Sequence, residues 1–200
     1  LEPHGAVQAG MLTFSKYQIL ENTRRQFPVS DAFITKFTDL DRCFLVSRLP
    51  VDGGKELVLI QVHLSAYDKG GLIRAEQLAL LNEVLARERE QGNYVIAGGD
   101  FNHDIAESIE SFPSGQKTPE WVYQLDSDDL AEGYRFAKAE NAAEIPTCRG
   151  ADIPYEKDVT YTVVVDGFIV SDNIEAKAEN IDGGFLYSDH NPVVMEFTLL

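Results

Sequence analysis

The hydrophobic and polar positions of the chain follow a strand-like pattern in the first third of the sequence. Leu, Val and Ile are enriched in residues 42–49 and 56–64, which flank segment 50–54. The Asp-Gly-Gly sequence of that segment supplies the backbone angles of a tight turn, so a β-hairpin is predicted here. Two earlier apolar segments, 6–14 and 17–27, predict another pair of strands joined by a short polar turn.

A single long helix is predicted over residues 72–90, where leucines recur at helical spacing on one face. Gly92 is a natural stop just beyond its last turn. The apolar run 94–97 then predicts a buried strand that breaks at Gly98 and Gly99. The order strand, helix, strand is typical of α/β proteins, and the hairpin before it implies a mixed sheet.

The remainder of the chain divides into an irregular region and three β-rich segments. Residues 106–158 are acidic and show no sustained period, so we expect surface loops and short helices around a few aromatic anchors. Strands are predicted over residues 160–170, 174–181 and 192–199. The length of 200 residues is most simply that of one domain, whose fold class is predicted to be α/β (α+β).

Charge narrows the range of partners. The formal net charge is -16, and so acidic a surface disfavours tight binding to nucleic acid unless metal ions or further segments reverse the local field. The alternative is a solvated acidic surface that says nothing about partners. Cys43 and Cys148 lie far apart without a CxxC pair, so two free thiols are expected. No apolar run is long enough to predict a membrane span.

The chemistry-bearing residues begin directly after the predicted strand 94–97. Asp100 and Asn102 follow its two glycines, and such oxygen-rich strand ends bind hard cations and phosphates. The alternative is that the pair merely forms a turn after a strand. An EF-hand calcium loop is excluded, because Ile105 replaces the required Gly and Ser111 replaces the terminal Glu.

A second group of candidate residues surrounds His190. A free imidazole titrates near ~6.5, so His190 can exchange protons near neutral pH if a carboxylate holds its ring. Asp166 lies in an apolar segment, where a lone buried charge is costly, and is predicted to be that carboxylate. The alternative is that Asp166 caps a bulge at Gly167. His63, at a predicted strand end, joins the set, whereas the role of His103 is left open.

Other enzyme classes lack their motifs. The chain has no Gly-x-Ser-x-Gly elbow, which excludes that serine-hydrolase arrangement. Walker and Rossmann glycine patterns are also absent.

Three motifs in this order resemble the endonuclease/exonuclease/phosphatase superfamily, the fold group of pancreatic deoxyribonuclease. They are His63 after a strand, Gly99-Asp100-Phe101-Asn102, and Ser188-Asp189-His190-Asn191-Pro192. Segment 10–19, the Arg74-x-x-Gln77-Leu78 helix and segment 165–171 resemble further family motifs. The resemblance implies a four-layer α/β/β/α sandwich with mixed, largely antiparallel sheets.

The resemblance also implies that part of such a domain is missing. Family members begin with strands that carry a metal-binding Asn and a metal-binding Glu, and nothing before Gly10 supplies them. Residues 1–200 are therefore expected to form the C-terminal portion of one such domain. A lone portion of a two-sheet sandwich exposes apolar sheet surface, so we expect a partner fragment, self-association or cover by the chain's own segments.

The function implied by the resemblance is a metal-dependent phosphoesterase acting on a phosphodiester or phosphomonoester. Asp100 would orient and activate the attacking water, and Asn102 would hold the phosphate through the transition state. His63 would contact the phosphate or protonate the leaving group. Such chemistry depends on charge neutralisation and in-line positioning more than on covalent help.

The C-terminal motifs would supply an aspartate–histidine pair and a ligand to the metal. Asp166 would fix His190, which would contact a phosphoryl oxygen or serve as general base. Asp189 would help to ligate Mg²⁺, with Mn²⁺ or Ca²⁺ as alternatives.

The substrate class stays open at the level of sequence. The 5-phosphatase branch has an arginine two residues after the Asn, whereas this chain has Asp104, which counts against inositol polyphosphates. The acidity counts against a nuclease that tracks along DNA, so a small-molecule or lipid phosphodiester is preferred and a nuclease is retained. The alternative function is a non-catalytic fragment or phosphate-binding module, since the metal-binding Glu is absent.

Overall fold

The computed structural model describes residues 10–28, 42–66 and 72–200. The described strands are β1 (Glu21–Gln26), β2 (Cys43–Pro50), β3 (Glu56–His63), β4 (Tyr94–Asp100), β5 (Tyr134–Phe136), β6 (Cys148–Arg149), β7 (Thr162–Val163), β8 (Asp166–Ser171), β9 (Ile174–Asn180) and β10 (Val193–Leu199). One α-helix, α1 (Leu72–Glu90), lies between β3 and β4. The six-stranded sheet has the order β1-β2-β3-β4-β8-β5, and β9–β10 and β6–β7 form two-stranded sheets.

The large sheet is mixed, as the sequence predicts. The hairpin partners β2 and β3 are antiparallel, β3 and β4 are parallel, and β4 and β8 are antiparallel. The parallel pair is joined through α1, since parallel neighbours need a crossover connection.

Alternate residues of β3 and β4 point to opposite faces of the sheet. On one face, Val58 and Val95 belong to the same buried cluster as Leu81 of α1. On the other face, Leu57 and Ile96 belong to a second cluster, which includes side chains of β9 and β10. The large sheet therefore has the helix on one side and the β9–β10 sheet on the other, which confirms the predicted fold class.

Two glycines continue β4 rather than ending it, so the predicted break at Gly98 and Gly99 is wrong. Gly98 pairs with Phe168 and Gly99 with Gly167 in the antiparallel ladder to β8. Gly99 has a φ of +146°, and a Cβ there would overlap the carbonyl oxygen of Val62. Glycine permits this close approach of β3 and β4, and the ladder consequently extends to Asp100.

Other segments are shorter than the hydrophobic pattern predicts. Residues 10–20 contain no strand, β1 begins at Glu21, and residues 6–9 of the predicted strand lie outside the described residues. The predicted strand 160–170 is divided into β7 and β8. The carbonyls of Val164 and Val165, between them, accept hydrogen bonds from the loop after β4.

Two further predictions concern thiols and membrane helices. Cys43 and Cys148 are both free thiols, as expected from their spacing. Among the residues described, no helix has both the length and the apolar character needed to cross a membrane.

Candidate active site

One transverse row of the large sheet brings together three candidate residues. In the β3–β4 ladder His63 pairs with Asp100, and in the β4–β8 ladder Asp100 pairs with Asp166. Paired residues on adjacent strands lie about 5 Å apart, with their side chains on the same face. Accordingly, His63 Nε2 lies 3.3 Å from Asp100 Oδ2. Strand register therefore places residues that are distant in sequence side by side.

His190 completes the cluster from outside this sheet. Its Nδ1 lies 2.8 Å from Asp166 Oδ2, the pairing proposed from the sequence, and its Nε2 lies 3.8 Å from Asp100 Oδ2. Ligand atoms of Asp100, Asp166 and His190 all lie within 4.8 Å of one another. Two carboxylates and an imidazole thus face a single small volume.

The turn that carries His190 is held by backbone contacts. His190 forms an isolated antiparallel bridge with Cys148. The Asn191 N–H donates to the carbonyl of Thr147 at 2.7 Å, and the Arg149 N–H donates to the carbonyl of Asp189 at 3.0 Å. The 147–149 segment therefore fixes the position of the histidine.

Thr147 links this turn to the aspartate that pairs with His190. It is buried, and its Oγ1 accepts the N–H groups of Val165 at 3.0 Å and Asp166 at 3.1 Å. One residue thus supports His190 through its backbone and Asp166 through its side chain. Thr147 lies in a region without hydrophobic periodicity, so the sequence alone does not mark it as part of the site.

Asn102 is held close to Asp100 by its own backbone. Its N–H donates to Asp100 Oδ1 at 2.7 Å, and its Nδ2 donates to the carbonyl of Leu64 at 2.8 Å. The residue has a positive φ of 48°, a conformation that Asn tolerates better than most side chains. The buried Arg74 of α1 donates to the carbonyls of Asn102 at 3.1 Å and Trp121 at 2.7 Å, which ties the loop to the helix.

The next two polar residues shape this loop from within. Asp104 is 0% exposed and accepts hydrogen bonds from Ser108 and from the N–H groups of Ala106 and Ile109. His103 is buried, and its Nδ1 lies 2.7 Å from the carbonyl of Phe101. Asp104 therefore organises the turn and is not available for contact with a ligand.

Asp189, the predicted metal ligand, immediately precedes His190 in the chain. Its side chain is exposed, whereas the group of facing ligand atoms in the described chain consists of Asp100, Asp166 and His190. The assignment of Asp189 to a metal therefore stays a prediction.

Burial and mutual repulsion give the cluster unusual titration behaviour. Burial, together with the charge of Asp166, raises the pKa of Asp100 to about 7. Burial alone would lower the pKa of His190, but the hydrogen bond to Asp166 raises it to about 11. Burial, with the nearby charges of Arg42 and His190, lowers the pKa of His63 to about 4. At neutral pH the cluster therefore contains a neutral His63, a partly ionised Asp100 and a cationic His190.

These properties fit both a divalent cation and a phosphate. The carboxylates of Asp100 and Asp166 repel each other, and a cation bound between them would relieve that repulsion. The imidazolium of His190 and the amide of Asn102 are donors to anionic oxygens. Oxygen ligands beside fixed donors are the arrangement that polarises a phosphoester and a water molecule.

No protein-family model and no curated protein matches this sequence. Solved structures do match. TDP2 of D. rerio, complexed with a single-strand DNA product, is 18% identical with a TM-score of 0.60 over 90% of this chain and 68% of that chain. An endonuclease/exonuclease/phosphatase from Beutenbergia cavernae is 17% identical with a TM-score of 0.60 over 92% of this chain and 46% of that chain.

A third structure is ANGEL2, a 2′,3′-cyclic phosphatase in complex with adenosine-2′,3′-vanadate. It is 17% identical with a TM-score of 0.56 over 92% of this chain and 67% of that chain. The chain thus spans between 46% and 68% of the length of these three structures. The match over about nine tenths of the present chain shows that it has the fold of the endonuclease/exonuclease/phosphatase superfamily, the deoxyribonuclease-I-like fold.

Proposed function

We propose that this chain carries the reaction centre of a divalent-metal-dependent phosphoesterase, which hydrolyses a phosphodiester or phosphomonoester by water attack. The observation that supports the proposal is the meeting of Asp100, Asp166 and His190 within 4.8 Å, with His63 beside Asp100. Three of these residues come from adjacent rigid strands, and rigid placement is what in-line phosphoryl transfer requires.

Asp100 is the proposed base for the attacking water. Its pKa of about 7 is close to the pH at which a general base combines ionisation with proton affinity. The N–H of Asn102 holds one carboxylate oxygen at 2.7 Å, which leaves Oδ2 to face His63 and His190. That oxygen is the proposed acceptor of the water proton.

His190 is the proposed donor to a phosphoryl oxygen. Its raised pKa keeps the ring cationic at neutral pH, which favours charge stabilisation over a role as general base. Asp166 orients the ring through Nδ1, so Nε2 remains for the substrate. A cation fixed before the reaction stabilises the developing negative charge without reorganisation.

His63 and Asn102 are the proposed contacts to the remaining phosphate oxygens. The lowered pKa of His63 leaves its ring neutral, so it can donate a hydrogen bond but is a poor source of a proton for the leaving group. The amide of Asn102 has two N–H bonds, and Leu64 accepts one of them. The second N–H is the proposed contact to the phosphate.

Mg²⁺ is the proposed cofactor, with Mn²⁺ or Ca²⁺ as alternatives, and the residues that would hold it are Asp100, Asp166 and Asp189. When bound, it would neutralise charge on the phosphoester and its leaving oxygen. Asp189 is exposed, so it would add a carboxylate from the solvent side of the turn.

The substrate is proposed to be a small-molecule or lipid phosphodiester, with a nucleic acid as the competing candidate. The net charge of -16 opposes a long polyanion more than a single phosphoester. The competing candidate is supported by the similarity to TDP2, whose structure contains a single-strand DNA product. Similarity to the 2′,3′-cyclic phosphatase ANGEL2 supports phosphoester chemistry in general.

The experiment is a turnover assay with Mg²⁺ on bis(p-nitrophenyl) phosphate, p-nitrophenyl phosphate, a single-stranded oligonucleotide and phosphatidylcholine vesicles. Asp100→Asn and His190→Ala should each lower turnover by at least about 100-fold. Asp52→Asn, in the exposed turn between β2 and β3, removes the same charge far from the cluster and serves as the control. Unchanged turnover in either cluster variant would show that these roles are wrong.

A second candidate function is a phosphate-binding module without turnover. It is supported by the composition of the described cluster, which contains only two carboxylates for a metal. Calorimetric titration with Mg²⁺ and with inorganic phosphate separates the two functions. Phosphate binding that depends on His190 but is accompanied by no hydrolysis of any substrate would favour the binding module.

A further inference from the structure

A small cavity borders Asp166, the aspartate that pairs with His190. Its volume of about 10 Å³ is the space that a single water molecule needs. The described lining is mostly apolar, and besides Asp166 its polar side chains are those of Lys138 and Asn180. Since the Lys138 ammonium is paired with Glu107 at 2.6 Å, Asn180 and Asp166 are the two side chains that can bind a molecule in this space.

Asn180 has a buried side-chain oxygen to which no described group donates a hydrogen bond. The residue is 1% exposed, and its Nδ2 donates to the carbonyl of Ile145 at 2.7 Å. A carbonyl can only accept, so this bond fixes which end of the amide is the nitrogen. Oδ1 is the other end, and it is buried without a partner. An unpaired amide oxygen in the interior is costly, and a bound water molecule removes that cost.

The backbone of Asn180 is also held in place. Its N–H donates to Asn141 Oδ1 at 2.8 Å, and its carbonyl accepts from Asn141 Nδ2 at 2.8 Å. Rotation of the Asn180 amide toward a protein donor would break the bond to Ile145. The oxygen at the cavity therefore has a fixed position from which it can hold a water molecule.

The Asp166 carboxylate has room for a second contact. Its Oδ2 lies 2.8 Å from His190 Nδ1, whereas an ionised carboxylate offers about four acceptor positions on its two oxygens. One hydrogen bond leaves the carboxylate free to rotate about its Cβ–Cγ bond, and a second contact restricts that rotation. Such outer contacts orient the carboxylates and histidines of metal sites.

We propose that one water molecule in this cavity bridges Asn180 and Asp166, and that Asn180 is thereby a positioning residue for the Asp166–His190 pair. The water donates one hydrogen bond to Asn180 Oδ1 and the other to the Asp166 carboxylate, which satisfies the buried amide oxygen. A hard cation such as Ca²⁺ is a poorer occupant, because it takes about six to eight oxygen ligands and the described lining offers oxygen-bearing side chains only from these two residues. The bridge is independent of the proposed function, whereas its effect on turnover rests on that function.

Crystallography on the protein in EDTA tests the bridge directly. A high-resolution structure should show one density peak in the cavity, within about 3.2 Å of both Asn180 Oδ1 and an oxygen of Asp166. A cavity without density, or a peak that contacts only one of the two side chains, would overturn the proposal. So would a peak with several oxygen contacts of about 2.3–2.6 Å, which is the geometry of a bound calcium ion.

Asn180→Leu and Asn180→Asp form a matched pair of variants. Both lose the donor to the Ile145 carbonyl and both are close to Asn in size, but only Asp keeps an acceptor for the water. With Mg²⁺ and bis(p-nitrophenyl) phosphate, Asn180→Leu should lower kcat about 10-fold with little change in KM, and Asn180→Asp should retain most of the activity. Equal losses in the two variants would assign the effect to the Ile145 hydrogen bond and overturn the positioning role.

NMR measures the same positioning without turnover. The proton between His190 Nδ1 and Asp166 Oδ2 has its own signal, whose chemical shift and exchange with solvent report on that hydrogen bond. In EDTA, Asn180→Leu should shift this signal or speed its exchange, and Asn180→Asp should change it less. A signal that is identical in the parent chain and Asn180→Leu would overturn the proposal.

The two kinds of measurement separate this inference from the proposed function. A bridging water and an altered His190 signal in Asn180→Leu, without hydrolysis of any phosphoester, would leave the inference standing while the proposed function failed. Hydrolysis that Asn180→Leu leaves unchanged would have the opposite meaning.

Discussion

Removal of the Asp100 carboxylate should stabilise the fold at the pH where the carboxylate is needed for chemistry. The pKa of this group rises from 3.8 to about 7 on folding, owing first to burial and then to Asp166. A carboxyl whose pKa is raised by folding reduces the free energy of unfolding as pH increases, because the unfolded chain ionises first. The loss begins near pH 4, grows up to about pH 7, and is constant above it.

The size of this effect follows from the shift. A displacement from 3.8 to about 7 corresponds to a cost of at most about 4 kcal/mol above pH 7 and about 2 kcal/mol at pH 5.5. Asp100→Asn keeps an oxygen that can accept the Asn102 N–H but does not ionise. Its stability advantage over the parent chain should therefore increase by about 2 kcal/mol between pH 5.5 and pH 8.

Urea denaturation in buffers containing EDTA measures this advantage at each pH. Chelation matters, because a bound divalent cation would offset the repulsion between Asp100 and Asp166. Asp52→Asn removes the same formal charge from an exposed turn, so its effect on the free energy of unfolding should be small. An Asp100→Asn effect that does not change with pH, or a variant less stable than the parent at pH 8, would refute the reasoning.

Three further predictions concern the candidate active site and the residues that support it. The value of kcat/KM in Mg²⁺ should rise with pH as Asp100 ionises, with an inflection below the metal-free pKa of about 7 because a bound cation favours the carboxylate, and should fall only at alkaline pH as His190 loses its proton; a pH–rate profile would test this. Gly99→Ala should lower the free energy of unfolding by about 3 kcal/mol or more, because its Cβ overlaps β3; Gly10→Ala, where the added Cβ meets nothing, is the control, and equal urea midpoints would contradict the prediction. Thr147→Val should cost about 1–3 kcal/mol and lower kcat about 10-fold, since two buried N–H groups lose their acceptor; an unchanged kcat would show that Thr147 does not position the site.

The sequence predicted the parts of this fold in which local pattern and tertiary environment agree. The hairpin of β2 and β3 has alternating apolar residues around a turn rich in glycine, and α1 has a leucine face. Segment 10–20 has similar apolar content, but its described residues include exposed Leu12, Phe14 and Tyr17 and form no strand. Apolar composition predicts burial only where a second surface is present to bury against.

The candidate active site was likewise only partly predictable from the sequence. The predicted pairing of Asp166 with His190 is present as a contact of 2.8 Å, because an ionisable group in an apolar strand requires a partner. Thr147 acts through long-range hydrogen bonds and the buried Asp104 through bonds within its own turn, and neither kind leaves a periodic signal in the sequence. The resemblance to a family supplied the motif containing Arg74, but its contact with the Asn102 carbonyl emerges only from the packing of α1.

The transverse row of His63, Asp100 and Asp166 also has a consequence for how the molecule acquires its chemistry. A slip of one residue between β4 and β8 would put the side chains of Asp100 and Asp166 on opposite faces of the sheet, so these two carboxylates meet only in the native register. Asp100 and Asp166 are separated along the chain by the loops that carry β5, β6 and β7, and contacts of such sequence separation form late in folding. Catalytic activity should therefore appear only when β8 pairs with β4. A folding intermediate that has only the β2–β3 hairpin and α1 should be inactive.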